Sequence, residues 1–87
     1  MEEVIKSIIE SIPSGYVFDT HAIIEYLLQN NSDIYLSSYN GNSTELYHGD
    51  IGRLIAEFEN TIIERVGDSW SLNIHKRFSK CACWRKL

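Results

Sequence analysis

The sequence predicts a small α+β domain, with three or four helices, a short strand after the first helix and a C-terminal β-hairpin. Three observations carry this. Apolar residues recur at helical spacing through residues 2–58. From Thr61 onward the chain turns β-branched and alternating. Its 87 residues, 44% of them hydrophobic, suffice for one core and one domain, residues 1–87.

Helix one is expected over Glu2 to Ile12. Val4, Ile5, Ile8, Ile9 and Ile12 form one stripe, and Glu2 and Glu3 suit the positive N-terminal end. Pro13 disfavours helical geometry at Ile12 and stops it. Gly15 to Phe18 is a short β-prone stretch. Asp19 is a good N-cap for a second helix, Thr20 to about Gln29, with Phe18 and Ile23 placed for a hydrophobic staple. Ile23, Ile24, Leu27 and Leu28 supply its buried face.

Ser32 or Asp33 can cap a further short helical turn through Ile34, Tyr35, Leu36 and Tyr39. Asn40-Gly41-Asn42-Ser43 has loop chemistry. The next helix starts near Thr44 or later at Asp50, with Tyr47, Ile51, Leu54, Ile55 and Phe58 at helical spacing. Gly49 and Gly52 weaken it by about 1 kcal/mol each relative to alanine, and suit a close backbone approach. Thr61 to Val66 reads as a strand, and Gly67-Asp68 as a two-residue hairpin turn. The return strand is either Trp70 to Ile74 or Lys80 to Lys86. In the latter, Cys81 and Cys83 face one side and Ala82 and Trp84 the other.

Net charge is −4, unevenly spread: residues 1–68 carry −9, residues 69–87 carry +5 and no acid. Such asymmetry fits a basic binding edge on an acidic body, or a tail that folds against that body. The N-terminal MEEVIKSII shows no secretory pattern, and no apolar run approaches the ~18 residues of a membrane span. A cytoplasmic protein without a membrane partner is expected.

The quoted runs VIKSIIESI, GYVFDTHAIIEYLL, ELYHGDIGRLIAEFE and TIIERVG…CACWRK, in that order, resemble the winged helix-turn-helix superfamily. The likeness lies in element order and patterning across nearly the whole chain, not in a family motif. It implies DNA binding, with a helix at about Thr44 to Glu59 in the major groove and the hairpin as a wing. By position, that helix would offer Thr44, His48 and Arg53. It also carries Glu45, Asp50, Glu57 and Glu59, a poor surface to set against phosphates. The wing is the better candidate: Lys76, Arg77, Lys80, Arg85 and Lys86 lie in or beside it, with Arg53 in support. Phe78 and Trp84 add aromatic surface there or belong to the core.

The acidic helix alternatively points to a protein partner, or to a dimer interface with a second copy of the chain. Tyr35, Tyr39 and Tyr47 suit either an interface or the core.

Cys81 and Cys83, at i and i+2 on a strand, sit about 7 Å apart, the outer limit for a disulfide. They read as reduced thiols. A zinc set of His75, Cys81 and Cys83, completed by His21 or His48, meets a C-x-C spacing instead of the usual C-x₂₋₄-C. A cysteine nucleophile needs a lowered pKa, which the basic surroundings of Cys81 and Cys83 could give, and a base, a place His21 could take if folding brings it close, though nothing in the sequence requires it. His21 reads as an exposed first-turn residue. No phosphate loop, dinucleotide fingerprint or nucleophile elbow is present. The expectation is a non-enzymatic binding domain with no catalytic residues, no metal, no cofactor and no small-molecule substrate.

Overall fold

The computed structural model describes residues 1–39, 41 and 43–87. Asn40 and Asn42, in the expected loop before the longest helix, lie outside the described residues. Four helices and three strands follow in the order α1 (Glu2–Glu10), β1 (Val17–Asp19), α2 (Thr20–Asn30), α3 (Ser32–Ser37), α4 (Thr44–Ala56), β2 (Ile63–Leu72) and β3 (Phe78–Lys86). The result is a compact α+β domain with one antiparallel sheet of order β1-β3-β2.

Each helix buries the stripe its sequence provides. In α1 these are Ile5, Ile8 and Ile9, and Ser11 ends the helix two residues before Pro13. The Asp19 carboxylate accepts from the Ala22 N–H at 2.9 Å, capping α2. Ser43 caps α4 in the same way through the Leu46 N–H. Together with Ile23, Ile24, Leu27, Tyr35, Tyr47, Ile51, Ile55, Ile63 and Trp84, the α1 isoleucines make one core. Burying each such aliphatic side chain stabilises the fold by about 1.5–3 kcal/mol before conformational entropy is charged.

Tyr35 and Tyr47 are core residues, their rings 5.0 Å apart. The Tyr47 hydroxyl donates to the Tyr35 carbonyl at 2.5 Å. Tyr39 stays exposed at the edge of this cluster, 5.2 Å from the Tyr47 ring.

The hairpin differs from expectation. Gly67-Asp68 is not its turn. Both residues lie inside β2, at a bulge between Arg65 and Gly67 where Gly67 adopts φ +136°. A glycine's tolerance of positive φ serves a bulge as readily as a turn, and the sequence signal is the same. The expected strands 61–66 and 69–74 therefore merge into β2, and the return strand is β3. The actual turn is Asn73–Arg77. Its backbone closes through Asn73 N–H to the Arg77 carbonyl at 2.8 Å. The Asn73 side chain holds it by accepting from the His75 and Arg77 N–H groups at 2.9 and 3.2 Å.

β3 is the central strand. Its far end ties the sheet to the first helix: Lys86 donates its N–H to the Tyr16 carbonyl, and its Nζ donates to the Ile12 carbonyl at 3.1 Å.

Candidate nucleic-acid interface

The long ladder between β2 and β3 fixes which side chains share a face. Trp70 pairs with Lys80 and Leu72 with Phe78, so these four occupy one side of the hairpin. All four are exposed: Trp70 69%, Phe78 59% and Leu72 49%, with the Lys80 side chain likewise open. By the alternation of β3, Trp84 lies on the same side as Phe78 and Lys80, but deep in the fold. It is 1% exposed, lies 6.0 Å from the Phe18 ring and donates its indole N–H to Glu59 at 3.2 Å. Of the two aromatics that sequence offered for the surface, Phe78 is there and Trp84 is core. Trp70 was missed as a surface ring, because alternation with Leu72 and Ile74 looks the same for a buried strand face as for an open one.

The six predicted cations fall into two sets. Lys76 and Arg77 stand exposed on the turn, and neither side chain has a partner among the described residues. Lys76 sits in the left-handed region at φ 62°, uncommon outside glycine and asparagine. Lys80 touches Asp68 loosely at 3.4 Å. The other three are engaged. Arg85 pairs with Glu64, its neighbour across the ladder, at 2.5 Å. Arg53 pairs with Asp50 one turn away on α4. Lys86 holds the end of α1. These ion pairs are solvent-exposed, and such pairs typically contribute about 0–1 kcal/mol. Part of the tail's positive charge is thus answered by the acidic body, and what remains open clusters at the hairpin's free end.

A cleft of about 390 Å³ opens between α4 and the sheet. Ile24, Ala56, Ala82 and Trp84 make its apolar lining, and Gly49 and Gly52 its α4 side. Arg53, Arg65, Lys80, His48, His21 and Cys81 contribute its polar groups. The close approach expected at the α4 glycines is not needed: a Cβ on Gly52 would rest 3.7 Å from Thr20, an ordinary contact. Arg65 also reaches Asp68 at 2.6 Å, and this guanidinium holds the Asp68 carboxyl below its usual range.

The opposite side of the hairpin is polar and closed against the start of α2. Ser69 and Ser71 both donate to Asp19 Oδ2 at 2.8 Å. His21 is not an exposed first-turn residue but half-buried: Nδ1 lies 2.7 Å from Ser71 Oγ, and Nε2 3.2 Å from Ser79 Oγ. Burial raises the Asp19 pKa, but the Ala22 N–H, the two serine hydroxyls and the nearby His21 outweigh it, and the net shift is downward. Cys81 and Cys83 both remain free thiols. Burial and the Asp19 charge push both pKa values up, so the basic tail does not activate either one.

No family model, curated protein or solved structure matches this chain. No described helix is long and apolar enough to cross a membrane.

Proposed function

We propose that this chain is a small, non-enzymatic, cytoplasmic binding domain of winged-helix type whose β2–β3 hairpin takes single-stranded nucleic acid. The observation that carries this is the exposed Trp70–Phe78 face with Lys80 upon it, followed at the hairpin's end by the exposed Lys76 and Arg77 of the turn. Rings stack on bases irrespective of sequence, and adjoining cations follow the phosphates. The succession of helix, short strand, helices and long hairpin supports the winged-helix reading. The charge on α4 favours a strand over a duplex. Glu45 on the helix and Glu57 at its C-cap are exposed, and the helix's one arginine is held by Asp50.

Titration with short oligonucleotides, followed by tryptophan fluorescence, tests this. Quenching that weakens steeply with salt is expected, with single strands bound more tightly than the matching duplex. No binding to either at low salt overturns the reading.

A second reading rests on Leu72. Exposed beside the two rings, it makes the same face an apolar band, which suits a protein partner or a second copy of the chain. Concentration-dependent dimerisation that is insensitive to salt and lost in Leu72→Ser would favour it.

A further inference from the structure

Asp19 caps α2, His21 lies in that helix's first turn, and Cys81 sits on β3. One donor atom from each falls within 4.8 Å of the other two. No other three His, Cys, Asp or Glu side chains group this way among the described residues. The three come from segments some sixty positions apart and are brought together by the antiparallel contact of β1 with β3. We propose that Asp19, His21 and Cys81 form a site for a divalent transition metal, zinc being the best match to the donors.

The donor set is the first argument. Sulfur, imidazole nitrogen and carboxylate oxygen together suit zinc, whereas magnesium and calcium favour all-oxygen sites. Charge is the second. A carboxylate, a thiolate and a neutral imidazole bring two negative charges, which balance a dication in this half-buried position. Geometry is the third. Tetrahedral zinc with bonds of about 2.0–2.3 Å needs donors roughly 3.5 Å apart, so side-chain rotations drawing the donors inward by about an ångström complete the site.

The surroundings are those a metal site uses. The Ala22 N–H and the Ser69 and Ser71 hydroxyls orient the Asp19 carboxylate. Ser71 and Ser79 hold the two nitrogens of His21. On metal binding one His21 nitrogen exchanges its serine for the ion, and the other keeps its hydrogen bond and fixes the ring. Cys81 gives up its S–H proton to solvent as the zinc–sulfur bond forms. His21 and Cys81 also line the cleft against α4, so a fourth coordination position has access to water or an added ligand. This set differs from the His75, Cys81 and Cys83 set that the sequence spacing offers. His75 is on the turn with its N–H bound to Asn73, and Asp19 takes its place.

The test uses the full chain, reduced and stripped with a chelator, and titrated with Zn²⁺ by calorimetry in buffers of different ionisation heat. Co²⁺ then serves as the optical probe. One equivalent bound, proton release, a thiolate-to-cobalt absorption band and a raised Tm are expected. Cys81→Ser should lose the band, His21→Ala and Asp19→Asn should lose stoichiometric binding, and Cys83→Ser should keep all of it. Asp19→Asn retains an oxygen for the Ala22 N–H. If His21→Ala fails to fold, His21→Phe removes the ligand while filling the space. Absence of Zn²⁺ binding, Co²⁺ binding without the thiolate band, or a full response in Cys81→Ser overturns the site and leaves the cluster a hydrogen-bonded clasp between hairpin and α2.

Discussion

Trp70 and Lys80 stand directly opposite each other across the β2–β3 ladder, both on the hairpin's open face. Neither fills the core, so altering them separates binding from folding. Trp70→Ala and Phe78→Ala should each weaken oligonucleotide binding by about 1–3 kcal/mol, the usual worth of one base–ring stack. Circular dichroism and Tm should stay close to wild type. Equal affinity in the Trp70→Ala, Phe78→Ala double variant would remove the stacking face from the mechanism.

Lys76 offers a cleaner separation. Its φ of 62° is one glycine adopts freely, so Lys76→Gly removes a charge while relieving the turn. Stability should hold or rise, by up to about 1 kcal/mol, while the slope of log affinity against log salt becomes shallower by about one contact. Arg85→Gln, whose arginine is spent on Glu64, should leave that slope nearly unchanged. The two slopes, measured side by side, check which cations face the ligand.

What the sequence disclosed was local. The α1 stripe, the Asp19 cap and the α4 periodicity are properties of neighbouring residues, and each reappears in the fold. The hairpin turn was misplaced because Gly67 advertises positive φ without saying whether a bulge or a reversal uses it. The true turn depends on one asparagine side chain and contains no glycine. The Arg85–Glu64 pair depends on register across the ladder, and His21 meets Ser71 and Ser79 only through contacts 50 and 58 residues apart. Such relations exist only once the sheet has formed.

Trp84 is where the sheet meets the helices, and its replacement should be felt throughout. Trp84→Ala should cost about 3–5 kcal/mol through the cavity it leaves, a large share of the stability of so small a domain. Trp84→Phe keeps most of the volume but strands Glu59 without its indole donor, and should cost less. Urea denaturation of the two variants should rank them in that order. A Trp84→Ala protein as stable as wild type would mean the ring is not the keystone its burial implies.

His48 should make the fold sensitive to mild acid. Burial lowers its pKa below the usual 6.5, and the nearby His75 and His21 add to the shift. Its Nε2 lies 2.7 Å from the Tyr35 hydroxyl, whose own pKa is pushed up by burial, so the hydroxyl donates and the neutral ring accepts. The unfolded chain therefore takes up a proton near pH 6.5 that the folded chain refuses. Stability is full above that value, falls as the pH drops below it, and levels off once the folded ring also protonates. Urea midpoints between about pH 7.5 and 5.5 should show the decline in wild type. In His48→Gln the amide oxygen can still accept from Tyr35 but takes up no proton, and the decline should be smaller. The difference between the two proteins isolates His48, and identical pH profiles would show that its burial carries no cost on protonation.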